Sequence, residues 1–146
     1  MRALGLLLLL CACAAPKLPP APLSLRDESA PIASQVDAGL ARLSGDWVVI
    51  EGAGVRPGAR IAVHDGLMRI DGAPMPIADE GMGRFRLAGQ PIWVHWIDAD
   101  NRTAALGEPG GTRVWIMDRG GAPGERLSAA HEILTWYGYA LDRMLR

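Results

Sequence analysis

From Gly45 onward, short apolar runs alternate with polar and turn residues. Runs at 46–51, 60–63, 67–70, 75–77, 84–87, 92–97, 103–106 and 113–117 have the β-branched, aromatic and alternating character of strands. Gly, Pro, Asp and Asn separate them. Asp65-Gly66 is the clearest hairpin signal, because both central positions of a type I′ turn need positive φ. Short strands at regular spacing predict an antiparallel barrel or sandwich.

The pattern changes after Arg119. Residues 125–137 favour helix, and Leu127, Ala130, Leu134 and Tyr137 fall on one face. Gly138 is placed to end that helix in the left-handed conformation. Its apolar stripe needs a surface to cover, and the outside of a barrel is the one on offer. Upstream, 37–43 predicts a short helical turn with Leu40 and Leu43 on one side. Ala14 to Pro22 is rich in Pro, which forbids helix and favours an extended tether. Residues 24–34 read as irregular.

The first residues form a separate unit. Arg2 precedes a short apolar run and then small residues, the layout of a secretory signal peptide. The run is too short to span a bilayer. Leu10-Cys11-Ala12-Cys13 resembles the bacterial lipoprotein processing box, with Cys13 as the lipid-bearing residue that carries palmitate-type acyl chains. The expected organisation is a signal peptide at 1–12, a lipid-anchored tether and irregular segment at 13–36, and a barrel with its helix at 37–146. Such a protein is exported, with its domain expected to face the periplasm from the outer membrane, the inner membrane and the cell surface being the alternatives.

Both cysteines lie in this leader region, so a folded domain beyond it has no disulfide and no thiolate-bound metal. Its stability has to come from a hydrophobic core. Net charge is −1, and there is no basic block that argues for nucleic acid. His64, His95 and His131 have no metal-ligand spacing, so neither a metal nor a cofactor is expected. No serine has the frame of an activated nucleophile, and the chain is not expected to be an enzyme.

The residues from Leu40 to Trp47 resemble the entry motif of the lipocalin family, a helical turn followed by Gly-x-Trp opening the first strand. Val114-Trp115-Ile116-Met117-Asp118-Arg119 is similar to that family's last-strand motif, an apolar run ending in Arg. The stretch after Glu125, through Gly138-Tyr139, is similar to its helix and following segment. The resemblance implies an all-β fold: a small, eight-stranded, antiparallel up-and-down β-barrel with the C-terminal α-helix packed outside. It also implies that Arg119 lies across Trp47 at the closed end, a fold-marking stack and not a ligand site.

In the run at 92–97, Trp93, His95 and Ile97 share one strand face and Ile92, Val94 and Trp96 the other. Parity does not say which face looks inward. With Trp115 and Met117 of the last strand, Trp93, His95 and Trp96 form a candidate ligand cup. Two layers of ordinary core explain the same residues equally well. The function expected is non-enzymatic binding of a small hydrophobic ligand, of the fatty acid or lysolipid class, beside the membrane that carries the anchor. The alternative is an envelope protein-binding module or inhibitor with a filled barrel.

Overall fold

The computed structural model describes residues 23–146; the expected signal peptide, Cys13 and the Pro-rich stretch lie outside the described residues. A helical turn, α1 (Leu40–Leu43), leads into β1 (Gly45–Ala53), β2 (Arg60–His64), β3 (Leu67–Ile70) and β4 (Ala73–Gly81). Then come β5 (Arg84–Leu87), β6 (Gln90–Ile97), β7 (Thr103–Gly107), β8 (Val114–Asp118) and the helix α2 (Arg126–Trp136). Each strand pairs antiparallel with the next, and β8 pairs with β1, so the sheet closes into a barrel. The helix packs against β6 and β7 from outside. The expected fold class is the one observed.

The turns explain why the strands are so short. Asp65 and Gly66 have φ of 52° and 71°, as a type I′ turn requires. Asp71-Gly72, Met82-Gly83 and Ala88-Gly89 are left-handed in the same way. Met82 and Ala88 lack the short polar side chain that eases this conformation, so the flanking strands impose it. Tight two-residue turns let eight strands close within a short stretch of chain.

β4 is longer than the sequence predicts. The run at 75–77 extends in both directions, and Pro74 and Pro76 pair with Arg69 and Leu67 of β3. Ile77 donates its N–H to the Gly66 carbonyl on the β3 side. Alternation then puts the missing proline N–H groups on the other edge, where β4 runs past its pairing with β5.

Two apolar layers result. The barrel interior is filled by a cluster that includes Trp47, Phe85, Ile61, Met68, Leu106 and Trp115, all essentially buried. Outside the wall, Ala105, Val114 and Ile116 meet Ala130 and Leu134 of α2. Ala105 is small enough to bring the helix close. As expected, Gly138 (φ 83°) follows the helix, and Tyr139 N–H returns to the Leu134 carbonyl.

Residues 24–34, expected to be irregular, form no helix or strand and are packed against the barrel. Residues 24–36 run as a strap down the outer wall, from the β7–β8 loop to α1. Leu25 N–H donates to Gly111 O at 2.7 Å, and Gln35 N–H donates to Val94 O at 2.8 Å. Arg26 is buried under the strap and donates from Nε to Tyr137 O at 2.7 Å. Its backbone bridges Tyr139. A strap residue with one guanidinium serving several carbonyls has no hydropathy signature.

Candidate functional site

The barrel has two unlike ends. At the closed end, α1 plugs the bottom with Leu43, which is fully buried. Trp47 donates its indole N–H to Leu43 O at 2.8 Å. Arg119 lies over the Trp47 ring, 3.9 Å from guanidinium carbon to ring centroid. The guanidinium also donates to Asn101 O at 2.6 Å and to Arg42 O at 3.0 Å. Gly45 has φ of 107°, and a Cβ there would stand 2.7 Å from Arg119 Nη1. The Gly-x-Trp motif therefore has a physical reason: the glycine leaves room for the arginine that covers the tryptophan.

Close by, Asp118 is fully buried and ties β7, β8 and α2 together. Its Oδ2 accepts from Thr103 Oγ1 at 2.6 Å, and Arg126 donates to the same hydroxyl oxygen at 2.7 Å. Its Oδ1 accepts from Gly120 N–H and Ala122 N–H. Burial raises the carboxyl pKa, but these hydrogen bonds outweigh it and hold the group below its ordinary value. Every polar atom here has a partner, so the closed end is a structural clamp.

The five residues of the expected cup do not come together. Trp115 and Met117 point inward and are fully buried in the interior cluster. Trp93, His95 and Trp96 lie on the outer wall. Trp93 and His95 alternate outward with Ile92 and Val94 inward, and a β-bulge then turns Trp96 outward too: β7 pairs Leu106 with Val94 and Ala105 with Trp96, leaving His95 unmatched. Ile92, Val94 and Ile97 fill the interior, which no strict alternation allows. Trp93 is covered by Arg84, 4.3 Å from its ring. Trp96 packs at the edge of the helix layer.

His95 instead forms the seam between wall, strap and C-terminal segment. Its Nδ1 is 2.7 Å from Ala33 O and its Nε2 is 2.9 Å from the Tyr139 hydroxyl. A carbonyl only accepts, so Nδ1 carries the proton, and Nε2 of the neutral ring accepts from Tyr139. The same hydroxyl lies 2.9 Å from Glu108 O, which Gly111 N–H already serves. Burial, with Arg26 adding to it, pushes the His95 pKa down from 6.5 to about 4, although the Ala33 bond opposes the shift. Burial likewise raises the Tyr139 phenol well above its ordinary range. The network is neutral at physiological pH. Glu51, also buried, meets His131 Nε2 at 2.8 Å and Arg146 Nε at 3.2 Å, tying α2 and the C-terminus to β1.

The mouth is less complete. The loop after β1 folds Val55 into the opening, where it is buried against the interior cluster. A Cβ on Gly52 would collide with the Val55 carbonyl oxygen, so Gly52 is what lets the loop tuck in. Beside it is an open cavity of about 330 Å³ whose lining includes Val55, Ala59, Ile70, Met75, Arg56 and Arg113. Arg56 pairs with Asp71 and Arg113 with Glu108 at the rim. Trp115 lies one residue below the rim on β8, paired with Gly52. Its indole Nε1 is buried and has no hydrogen-bond partner among the described residues. Sequence reasoning named Trp115 but not the mouth around it. Val55 sits among Gly, Arg and Pro and carries no periodic signal.

No protein-family model matches the chain, and no curated protein matches it significantly.

Proposed function

We propose that this protein is a lipocalin-like lipoprotein of the cell envelope, anchored through acylated Cys13, that holds a small hydrophobic ligand at the barrel mouth. The observation that carries the ligand reading is the unpaired Trp115 N–H beneath an apolar mouth. A buried donor without a partner costs roughly 1–3 kcal/mol. A ligand with an apolar tail and a carbonyl, carboxylate or hydroxyl oxygen supplies the missing acceptor once Val55 moves aside. Fatty acids and lysolipids have that chemistry.

The filled interior limits the ligand. Ligand sites span roughly 300–1,000 Å³, and a mouth cavity of about 330 Å³ is at the small end. A short acyl chain fits this reading better than a long one. The same filled interior favours a second reading, an envelope module that binds protein through its rim. Displacement of a fluorescent fatty-acid probe by dodecanoate separates the two. Saturable displacement that weakens in Met75→Asp supports ligand binding. Absence of any saturable signal with dodecanoate or a lysolipid moves the function to the protein-binding reading.

A further inference from the structure

We propose that the mouth end of the barrel rests on the phospholipid surface that carries the anchor, so that the cavity opens toward the bilayer. This rests on the Cys13 anchor of the preceding reading.

The strap sets where the chain leaves the domain. Leu23 and Ser24 lie at the mouth rim, where Arg143 donates to Ser24 O at 2.6 Å and to Leu23 O at 3.2 Å. Leu25 is fixed to Gly111 of the β7–β8 loop at the same end. The chain between Cys13 and Leu23 reaches at most about 35 Å when fully extended. Strands of these lengths, tilted as in a closed barrel, span about 10–25 Å along its axis. A tether that starts at the mouth would spend up to about 25 Å of that reach to bring the closed end to the membrane. It reaches the membrane with ease when the mouth faces it.

Three of the five exposed large apolar side chains among the described residues lie at this end, while Val36 and Met82 lie toward the closed end. Leu23, Trp136 and Leu145 are 81%, 72% and 64% exposed. Leu145 pairs with Gly52 near the top of β1. α2 starts beside Thr103 and Asp118 at the closed end and ends at Tyr137, whose carbonyl meets Arg26 near the rim. Trp136 is therefore at the mouth end as well. Trp favours the membrane interface, and Leu inserts below it. Arg143 and Arg146 are exposed in the same region, although Arg143 also serves the strap carbonyls and Arg146 pairs with Glu51. A groove of about 540 Å³, whose lining includes Leu23, Leu25, Ala53 and Arg143, adds apolar surface at the exit point.

The test uses the lipidated full chain in vesicles of phosphatidylethanolamine and phosphatidylglycerol. One cysteine is introduced at a time, Leu145→Cys, Trp136→Cys or Met82→Cys, and labelled with an environment-sensitive dye. Met82, in the turn at the closed end, is 57% exposed and serves as the reference. Spin-labelled lipid is expected to quench the dye at 145 and 136 severalfold more than at 82. If the protein floats with the vesicles but all three positions are quenched alike, or 82 most, the orientation is wrong and the anchor stands. If it does not float, the anchor and the orientation fall together.

Discussion

The closed end and the mouth are built from the same strands but solve opposite problems. At the closed end, Trp47 N–H, the Arg119 guanidinium and the Asp118 carboxylate all have partners inside the protein. At the mouth, Trp115 N–H has none, and an open cavity lies beside the loop that carries Val55. Both tryptophans point inward, yet only one is fully served. The difference teaches that an inward aromatic is not by itself a ligand contact. What separates clamp from site is whether the polar atom has been satisfied by the fold.

If that comparison is right, the largest loss of stability comes from the clamp. Trp47→Ala is expected to cost about 3–5 kcal/mol in urea unfolding, through lost burial and the exposed underside of Arg119. A cost within 1 kcal/mol of zero would mean that the closed end is not a clamp.

Much of the clamp was legible in the sequence, because Gly45, Trp47 and Arg119 fall in a pattern that resembles a known family. The strands were legible because their alternation and turn residues are local. β4 was read too short because its flanks on either side of 75–77 are exposed and carry no apolar alternation, and only the strand register shows that they pair. The cup was misread for a different reason. A bulge at His95 shifts the faces by one residue, and nothing in Trp-Val-His-Trp announces it. Arg26 and Glu51 were missed because Tyr137 and His131, which they meet, are distant in sequence.

The seam at His95 supplies the next test, and it concerns pH. A buried histidine whose pKa is depressed to about 4 binds its proton later than the unfolded chain does. Stability is therefore complete above the unfolded value near 6.5 and declines as pH falls from there to about 4. The loss amounts to at most about 3 kcal/mol. His95→Gln should flatten this window. Asp118 acts lower: its depressed pKa means its contribution is present above 3.8 and fades as pH falls further. A denaturation series that shows no slope between pH 6.5 and 4 would contradict the buried neutral His95.

A smaller effect is expected at Gly45. Gly45→Ala places a Cβ against Arg119 Nη1 in a left-handed backbone, and should cost about 2 kcal/mol in thermal unfolding. The same change at Gly66, where nothing lies within 4 Å, should cost less than half as much. Equal costs would mean that strain alone, and not room for Arg119, explains the motif. The smallest effect belongs to the mouth: Val55→Ala should cost about 1 kcal/mol while tightening dodecanoate binding, because the loop then blocks less of the opening. Tighter binding without a matching gain in stability would mark the mouth as a site.

The most direct measurement follows the two inward tryptophans together. Indole N–H resonances of Trp47 and Trp115, assigned through Trp47→Phe and Trp115→Phe, are recorded while dodecanoate is titrated. The account predicts a saturable shift at Trp115 and none at Trp47. A shift at Trp47, or a silent Trp115 when ligand is bound, would contradict it.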